Sequence, residues 1–236
     1  MFPKKCKITI FGDSIPKGII YENKVLKKLP ENAVKLIADY YGVEVDNLAS
    51  FGQTMVRLSQ KGVFEDYLKN LNKKDNNIAV ISIGGNDSDY NWKEVASSPH
   101  TEHLPKTPPK EFCNLLDDII SKLKKKKVQV ILTNIPPIDS KRYFDNVIAK
   151  IADKNKVMEF LKGDIENIYR HQEYYNLLIT KCALKNGCLL LDIRQDFLWD
   201  TNCQDEFCED GVHPNKSGHV RIANSIIKQI NALAWR

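Results

Sequence analysis

Ile78-Ala-Val-Ile-Ser-Ile83, running straight into Gly84-Gly85-Asn86-Asp87, is the segment whose reading decides the fold. The run is apolar almost throughout rather than alternating. That is the pattern of a strand buried on both faces, and such strands belong to parallel sheets covered by helices. Four more short runs that read as strands lie around it, at residues 7–11 (KITIF), 43–48, 128–132 (VQVIL) and 188–193 (CLLLDI). Between them, apolar residues recur at helical spacing. Val34, Ile37, Ala38 and Tyr41 predict a helix in 31–41, and Met55, Leu58, Phe64, Leu68 and Leu71 one over 54–71. Phe112, Leu115, Leu116, Ile119 and Leu123 predict a helix over 111–123, a long stretch over 143–184 is broken near Lys162-Gly163, and 217–233 is the last helix. Strands alternating with helices imply βαβ units, and right-handed crossovers make them an α/β three-layer sandwich. Residues 87–110, polar and holding Pro99, Pro105, Pro108 and Pro109, read as one long loop. Loops of that length in a compact domain tend to be lids or binding loops.

Composition bounds the rest. With 236 residues, 42% hydrophobic and 28% charged, the chain falls among ordinary globular proteins and outside the disordered and fibrous classes. No linker, repeat or low-complexity tract divides it, so residues 1–236 read as a single domain. A domain of this size buries about 70–75% of its unfolded surface and needs no disulfide or metal staple. No apolar run approaches the ~20 residues of a membrane helix. The start, Met1-Phe-Pro-Lys-Lys-Cys-Lys7, is basic, but only Ile8 to Phe11 follow as an apolar stretch, short of the ~7–15 of a signal peptide. A cytoplasmic protein without stable membrane association is expected.

The net charge of +5 permits an anionic partner without requiring one. Its densest run, Lys122 and Lys124 to Lys127, reads as a solvated helix end, where lysines suit the dipole. No zinc-finger, helix-turn-helix or RNP pattern accompanies it, so no nucleic-acid partner is expected. The six cysteines read as free thiols. Cys203, Cys208, His213 and His219 have the composition of a zinc set, but four residues separate Cys208 from His213 where a zinc finger has about twelve. No metal is expected.

In an open α/β sheet, ligands bind beyond the carboxyl ends of the strands. Those ends carry Gly12-Asp13-Ser14, then Ala49-Ser50-Phe51-Gly52-Gln53-Thr54, then Gly84-Gly85-Asn86-Asp87, then Asn134-Ile135-Pro136-Pro137, and past a loop Asp210-Gly211-Val212-His213-Pro214. A parallel sheet puts all five on one edge. Alone, Ser14 would be a turn or cap residue and Asn86 a helix cap. Together they are the parts of acyl transfer. A serine hydroxyl needs a base to take its proton, which His213 can be, and Asp210 can hold that imidazole in the right tautomer. The oxyanion needs fixed donors, which the N–H groups of Ser14 and Gly52 and the Asn86 amide can supply.

Four blocks in order carry a family resemblance: Ile10-Phe-Gly-Asp-Ser14, Asn47-Leu-Ala-Ser-Phe-Gly52-Gln-Thr54, Gly84-Gly-Asn86-Asp87 and Asp210-Gly-Val-His213-Pro214. The chain resembles the SGNH (GDSL-type) hydrolases, a family of esterases and lipases. The resemblance implies a flavodoxin-like, five-stranded parallel sheet of order 2-1-3-4-5 and no cofactor. It implies Ser14 as nucleophile, His213 as base, Asp210 as its orienting acid, and Ser14, Gly52 and Asn86 as the oxyanion hole. Ile15 stands where the name-giving motif has Leu. No Gly-x-Ser-x-Gly occurs, which separates the chain from the ordinary α/β-hydrolase elbow.

The expected substrate is a small soluble acyl ester, O-acetyl groups on sugars among the choices, with Tyr90 and Trp92 of the long loop as candidate substrate contacts. A lipase, lysophospholipase or thioesterase of the same family is the alternative, although no long amphipathic lid is visible. A non-catalytic nucleotide- or carbohydrate-binding module is the rival of another class. Against a nucleotide or flavin site, residues 12–18 are not a P-loop, Asp13 would repel phosphate, and no Gly-x-Gly-x-x-Gly follows a strand.

Overall fold

The computed structural model describes residues 6–72 and 75–233. The basic start at residues 1–5 lies outside them. The five strands are β1 (Cys6–Gly12), β2 (Val45–Asn47), β3 (Asn76–Ser82), β4 (Gln129–Thr133) and β5 (Leu189–Leu191). They form one sheet of order 2-1-3-4-5, every pairing parallel. In register, Ile10 lies beside Val80 of β3, and Val80 beside Ile131 of β4.

Successive side chains on a strand point to opposite faces, and here both faces are covered. Phe11, Ala79, Ile81, Val130 and Leu132 pack on one side against residues 55–69, α2 (Pro109–Lys125) and α3 (Asn167–Lys185). Ile8, Ile78 and Ile131 pack on the other against α1 (Ala33–Tyr41) and α4 (Lys216–Leu233). This is the three-layer sandwich that the continuous apolar runs require. Local signals set the helix ends. The side chain of Asn32 accepts the N–H of Lys35 at the start of α1, and Gly42 ends that helix in the left-handed conformation.

Four local readings differ from the sequence pattern. The helix expected over 54–71 is two, Met55–Gln60 and Val63–Lys69, because Lys61-Gly62 interrupts it with Gly62 at φ 73°. The stretch 143–184 breaks several times before α3, into Ser140–Tyr143, a π-helical turn Phe144–Ile148, Ala149–Ile151 and Lys154–Phe160. The long loop contains a helix, Trp92–Ser97. Finally, Ile19–Glu22 and Val25–Lys28 form an antiparallel hairpin outside the main sheet. Its turn residues, Asn23 and Lys24, both have positive φ (54° and 62°), as a two-residue type I′ turn needs.

Residues 92–97 and 140–168 close over the carboxyl edge of the sheet around their own core of Trp92, Val95, Phe144, Ile148, Val157 and Leu161. Among the described residues no helix is long and apolar enough to cross a membrane.

Candidate active site

Gly12 ends β1, and a side chain there would meet the ring of Pro16, since an added Cβ would lie 2.2 Å from Pro16 Cγ. The tight turn that follows is capped by Asp13, whose Oδ1 accepts the N–H of Ile15 at 2.9 Å. Ser14 is thereby presented as the first residue of a single helical turn, Ser14–Lys17. Across 199 positions of sequence, His213 Nε2 lies 2.9 Å from Ser14 Oγ. His213 Nδ1 lies 2.6 Å from Asp210 Oδ2. The other Asp210 oxygen accepts the N–H groups of Val212 and His213, both at 3.1 Å, so the carboxylate is fixed by the loop that carries the histidine. All three side chains are buried. Phe51 lies nearly parallel to the imidazole, 6.3 Å between ring centroids.

The three expected oxyanion donors are unspent. Neither the N–H of Ser14, the N–H of Gly52 nor the side-chain amide of Asn86 gives a hydrogen bond to another described residue. Gly52 sits at φ 64° in a turn closed by the N–H of Gln53 on the carbonyl of Ser50 at 3.2 Å, a position that glycine fills without strain. Its carbonyl is taken by the Arg57 guanidinium, which fixes the orientation of the following peptide.

Ser14, Asn86 and His213 open into a cavity of about 360 Å³. Asp13, Gly85 and the half-exposed Phe51 line it, and the hairpin residues Tyr21 and Leu26 join its wall. Its lining also includes the apolar Ile138, Val147, Ile151, Leu161 and Ile168, interspersed with Asn146, Lys150 and Asn167. Tyr90 and Trp92 both border the cavity, but differently. The Trp92 indole N–H is committed to Asp89 at 2.8 Å, and the ring is buried in the covering core. The Tyr90 hydroxyl faces His171 Nε2 at 3.2 Å, with the rings 4.8 Å apart. Burial holds the His171 pKa below its ordinary value, so the ring is kept neutral.

The hairpin is a site feature that the sequence pattern does not show; Phe51 is visible there only as part of a motif, without a role, and His171 reads from sequence as a surface or loop polar residue. His171 carries no motif, and only the fold of α3 brings it to Tyr90. The possible zinc set is dispersed in function: His213 is engaged by Ser14 and Asp210, Cys208 Sγ accepts the N–H of Tyr21, and His219 Nδ1 accepts that of Ala33. Among the described residues no three of His, Cys, Asp or Glu are grouped as metal ligands.

A buried carboxyl, Asp13, and a buried imidazole, His219, adjoin the site. Burial pushes Asp13 up to about 6, against the partial pull of the Ile15 N–H and of nearby His213. A carboxyl raised in the folded state stabilises the fold below its unfolded pKa, and that contribution is lost as pH rises through about 6. His219, lowered to about 4 by burial, works the other way, its contribution being lost as pH falls through about 4. The comparison of Asp13→Asn with wild type isolates the carboxyl: the variant's Tm should gain on wild type between about pH 4 and pH 8. A Tm difference independent of pH would show that Asp13 carries no burial penalty.

A family model described as GDSL-like Lipase/Acylhydrolase matches residues 8–226. The chain belongs to this family. Its fold recurs in solved structures of low sequence identity. A lipolytic protein of the G-D-S-L family from Veillonella parvula DSM 2008 superposes with a TM-score of 0.65 at 14% identity, covering 96% of this chain and 98% of that one. An Axe2 mutant, an acetyl-xylooligosaccharide esterase from Geobacillus Stearmophilus, gives 0.64 at 18% identity over 96% and 94%. The acetyl xylan esterase AlAXEase gives 0.62 at 21% identity over 95% and 99%. No curated protein matches by sequence. Membership makes this GDSL-like chain a hydrolase of the esterase and acylhydrolase kind.

Proposed function

We propose that this GDSL-family chain is a serine esterase of small soluble acyl esters, O-acetyl groups on sugars among them, acting through an acyl-enzyme on Ser14. The observation that carries the reading is the relay Ser14 Oγ, His213 Nε2, His213 Nδ1, Asp210 Oδ2, at 2.9 and 2.6 Å. His213 takes the Ser14 proton as Oγ attacks the ester carbonyl, and Asp210 steadies the imidazolium that forms. The oxyanion is received by the free N–H groups of Ser14 and Gly52 and by the Asn86 amide. His213 then gives its proton to the leaving alcohol, and the same groups admit water to release the acid. Each step uses only these side chains and backbone donors.

The substrate class is supported by the cavity. About 360 Å³ is small for a ligand site, and the Tyr90–His171 pair puts polar groups in its wall. Two of the structural relatives described above act on acetylated xylan or xylo-oligosaccharide according to their names. A second reading, a longer acyl chain, is favoured by the apolar lining residues between Ile138 and Ile168. A panel of soluble acyl esters of graded chain length, together with acetylated sugars, separates the two. The small-ester reading expects kcat/KM to be highest for acetyl and to fall with chain length. A steady rise with chain length would overturn it in favour of the acyl-chain reading.

A further inference from the structure

Two of the three donors read as an oxyanion hole, the Gly52 N–H and the Asn86 amide, come from separate loops, residues 50–54 after β2 and residues 84–87 after β3. One side chain joins these two loops. Asp87, the residue after Asn86, accepts the N–H of Met55 on Oδ1 at 2.8 Å. Met55 follows Thr54, the cap of helix Met55–Gln60, and that cap is two residues beyond Gly52. The Asp87 carboxyl is fully buried, and its second oxygen has no hydrogen-bond partner among the described residues. The Thr107 hydroxyl, also without one, lies beside it. The Thr107 N–H meanwhile bonds the Asp87 carbonyl at 3.2 Å.

We propose that Asp87 is a positioning residue, tying the Gly52 turn to the Asn86 loop and so fixing those two oxyanion donors relative to one another. The inference rests on the esterase reading above.

The surroundings say in which form the tie works. The groups that face the carboxyl are the Met55 N–H, the Thr107 hydroxyl, Asp13 from the end of β1 and Tyr175 from α3. None is a cation, and Asp13 is a second acid. Burial pushes Asp87 up to about 7, against the pull of Thr107 and the Met55 N–H, and Asp13 adds repulsion. Below about pH 7 the carboxyl is therefore mostly neutral. A charged carboxylate so close to a forming oxyanion would oppose it, and buried charges are felt strongly. The neutral acid still accepts from Met55 on one oxygen and offers its O–H towards Thr107 on the other. An asparagine can do the same, accepting through its carbonyl oxygen and donating through its amide.

The test uses one soluble ester that wild type turns over, with kcat, KM and Tm measured for each variant. Asp87→Ala should lose on the order of 10²-fold in kcat, as a displaced catalytic group does, with KM little changed. Asp87→Asn should keep most of the wild-type kcat. As pH rises through about 7, wild-type kcat should fall relative to that of Asp87→Asn, in which the titrating carboxyl is gone and the histidine base is unchanged. A second pair leaves Asp87 in place. Proline is tolerated at the first position of a helix, so Met55→Pro removes the donor N–H, and Met55→Ala controls for the lost side chain. Met55→Pro should fall at least ~10-fold below Met55→Ala in kcat. Full kcat in Asp87→Ala, an equal loss in Asp87→Asn, or equal rates in the two Met55 variants would overturn the inference. If the Asp87 variants do not fold, the Met55 pair decides. Wild-type turnover abolished by Ser14→Ala but indifferent to the Asp87–Met55 tie would leave the esterase reading standing and this inference refuted. A wild type that hydrolyses no ester would overturn both.

Discussion

Ser14→Ala is expected to lower kcat by about 10⁴–10⁶-fold and to abolish covalent labelling by a fluorophosphonate probe. The size follows from what the substitution removes. Without Oγ there is no nucleophile to form an acyl-enzyme, and His213 loses the proton donor that it faces at 2.9 Å. What remains is the cavity and the oxyanion donors, worth a residual acceleration over water of roughly 10³–10⁴. The protein itself should stay folded, because Ser14 Oγ makes no other hydrogen bond among the described residues. The labelled peptide is the sharper readout. Ser88 also lines the cavity, but its hydroxyl donates to the Gly85 carbonyl at 2.8 Å, and it is the Ser88 backbone, not the hydroxyl, that His171 meets. A probe that labels Ser88, or a Ser14→Ala protein with full turnover, would refute the acyl-enzyme mechanism.

The sheet was legible because its strands are buried on both faces. Residues 78–83 and 128–132 could not be satisfied by any amphipathic arrangement, and the order 2-1-3-4-5 came with the family resemblance of the four blocks. The candidate triad was legible for a related reason: a parallel sheet delivers every strand's carboxyl end to one edge, so Ser14 and His213 could be paired without any contact being known. What the pattern missed has other causes. The hairpin at 19–28 turns on Asn23-Lys24, and without glycine in the turn its positive φ angles leave no mark in the sequence. Helix 92–97 is short and sits among prolines and polar residues, so its apolar members, Trp92 and Val95, show no period. His171 is one histidine on a long helix, and its meeting with Tyr90 is set by how α3 crosses the loop, which is a tertiary fact. Asp87 was visible as part of a motif, but its bond to Met55 spans 32 positions and shows only once both loops are in place.

Asn86→Ala separates a catalytic donor from a structural cap. A capping asparagine is worth about 0.5–2 kcal/mol to its helix, and its loss would appear in Tm. The Asn86 side chain bonds no N–H of a following turn; the turn there is closed by backbone, with the Asp89 N–H on the Asn86 carbonyl at 3.4 Å. Removing the amide should therefore leave Tm close to wild type. Its cost should fall on the transition state. An amide aimed at the carbonyl oxygen binds it weakly in the ground state and strongly once negative charge develops, so KM should change little. Loss of one such donor costs about 10²–10³-fold in kcat, roughly 2.7–4 kcal/mol of barrier. Ser14 should still take a fluorophosphonate label, more slowly, since nucleophile and base are untouched. Measured on one soluble ester beside wild type, a lowered Tm with near-normal kcat would make Asn86 a cap and leave the oxyanion to the two backbone donors alone.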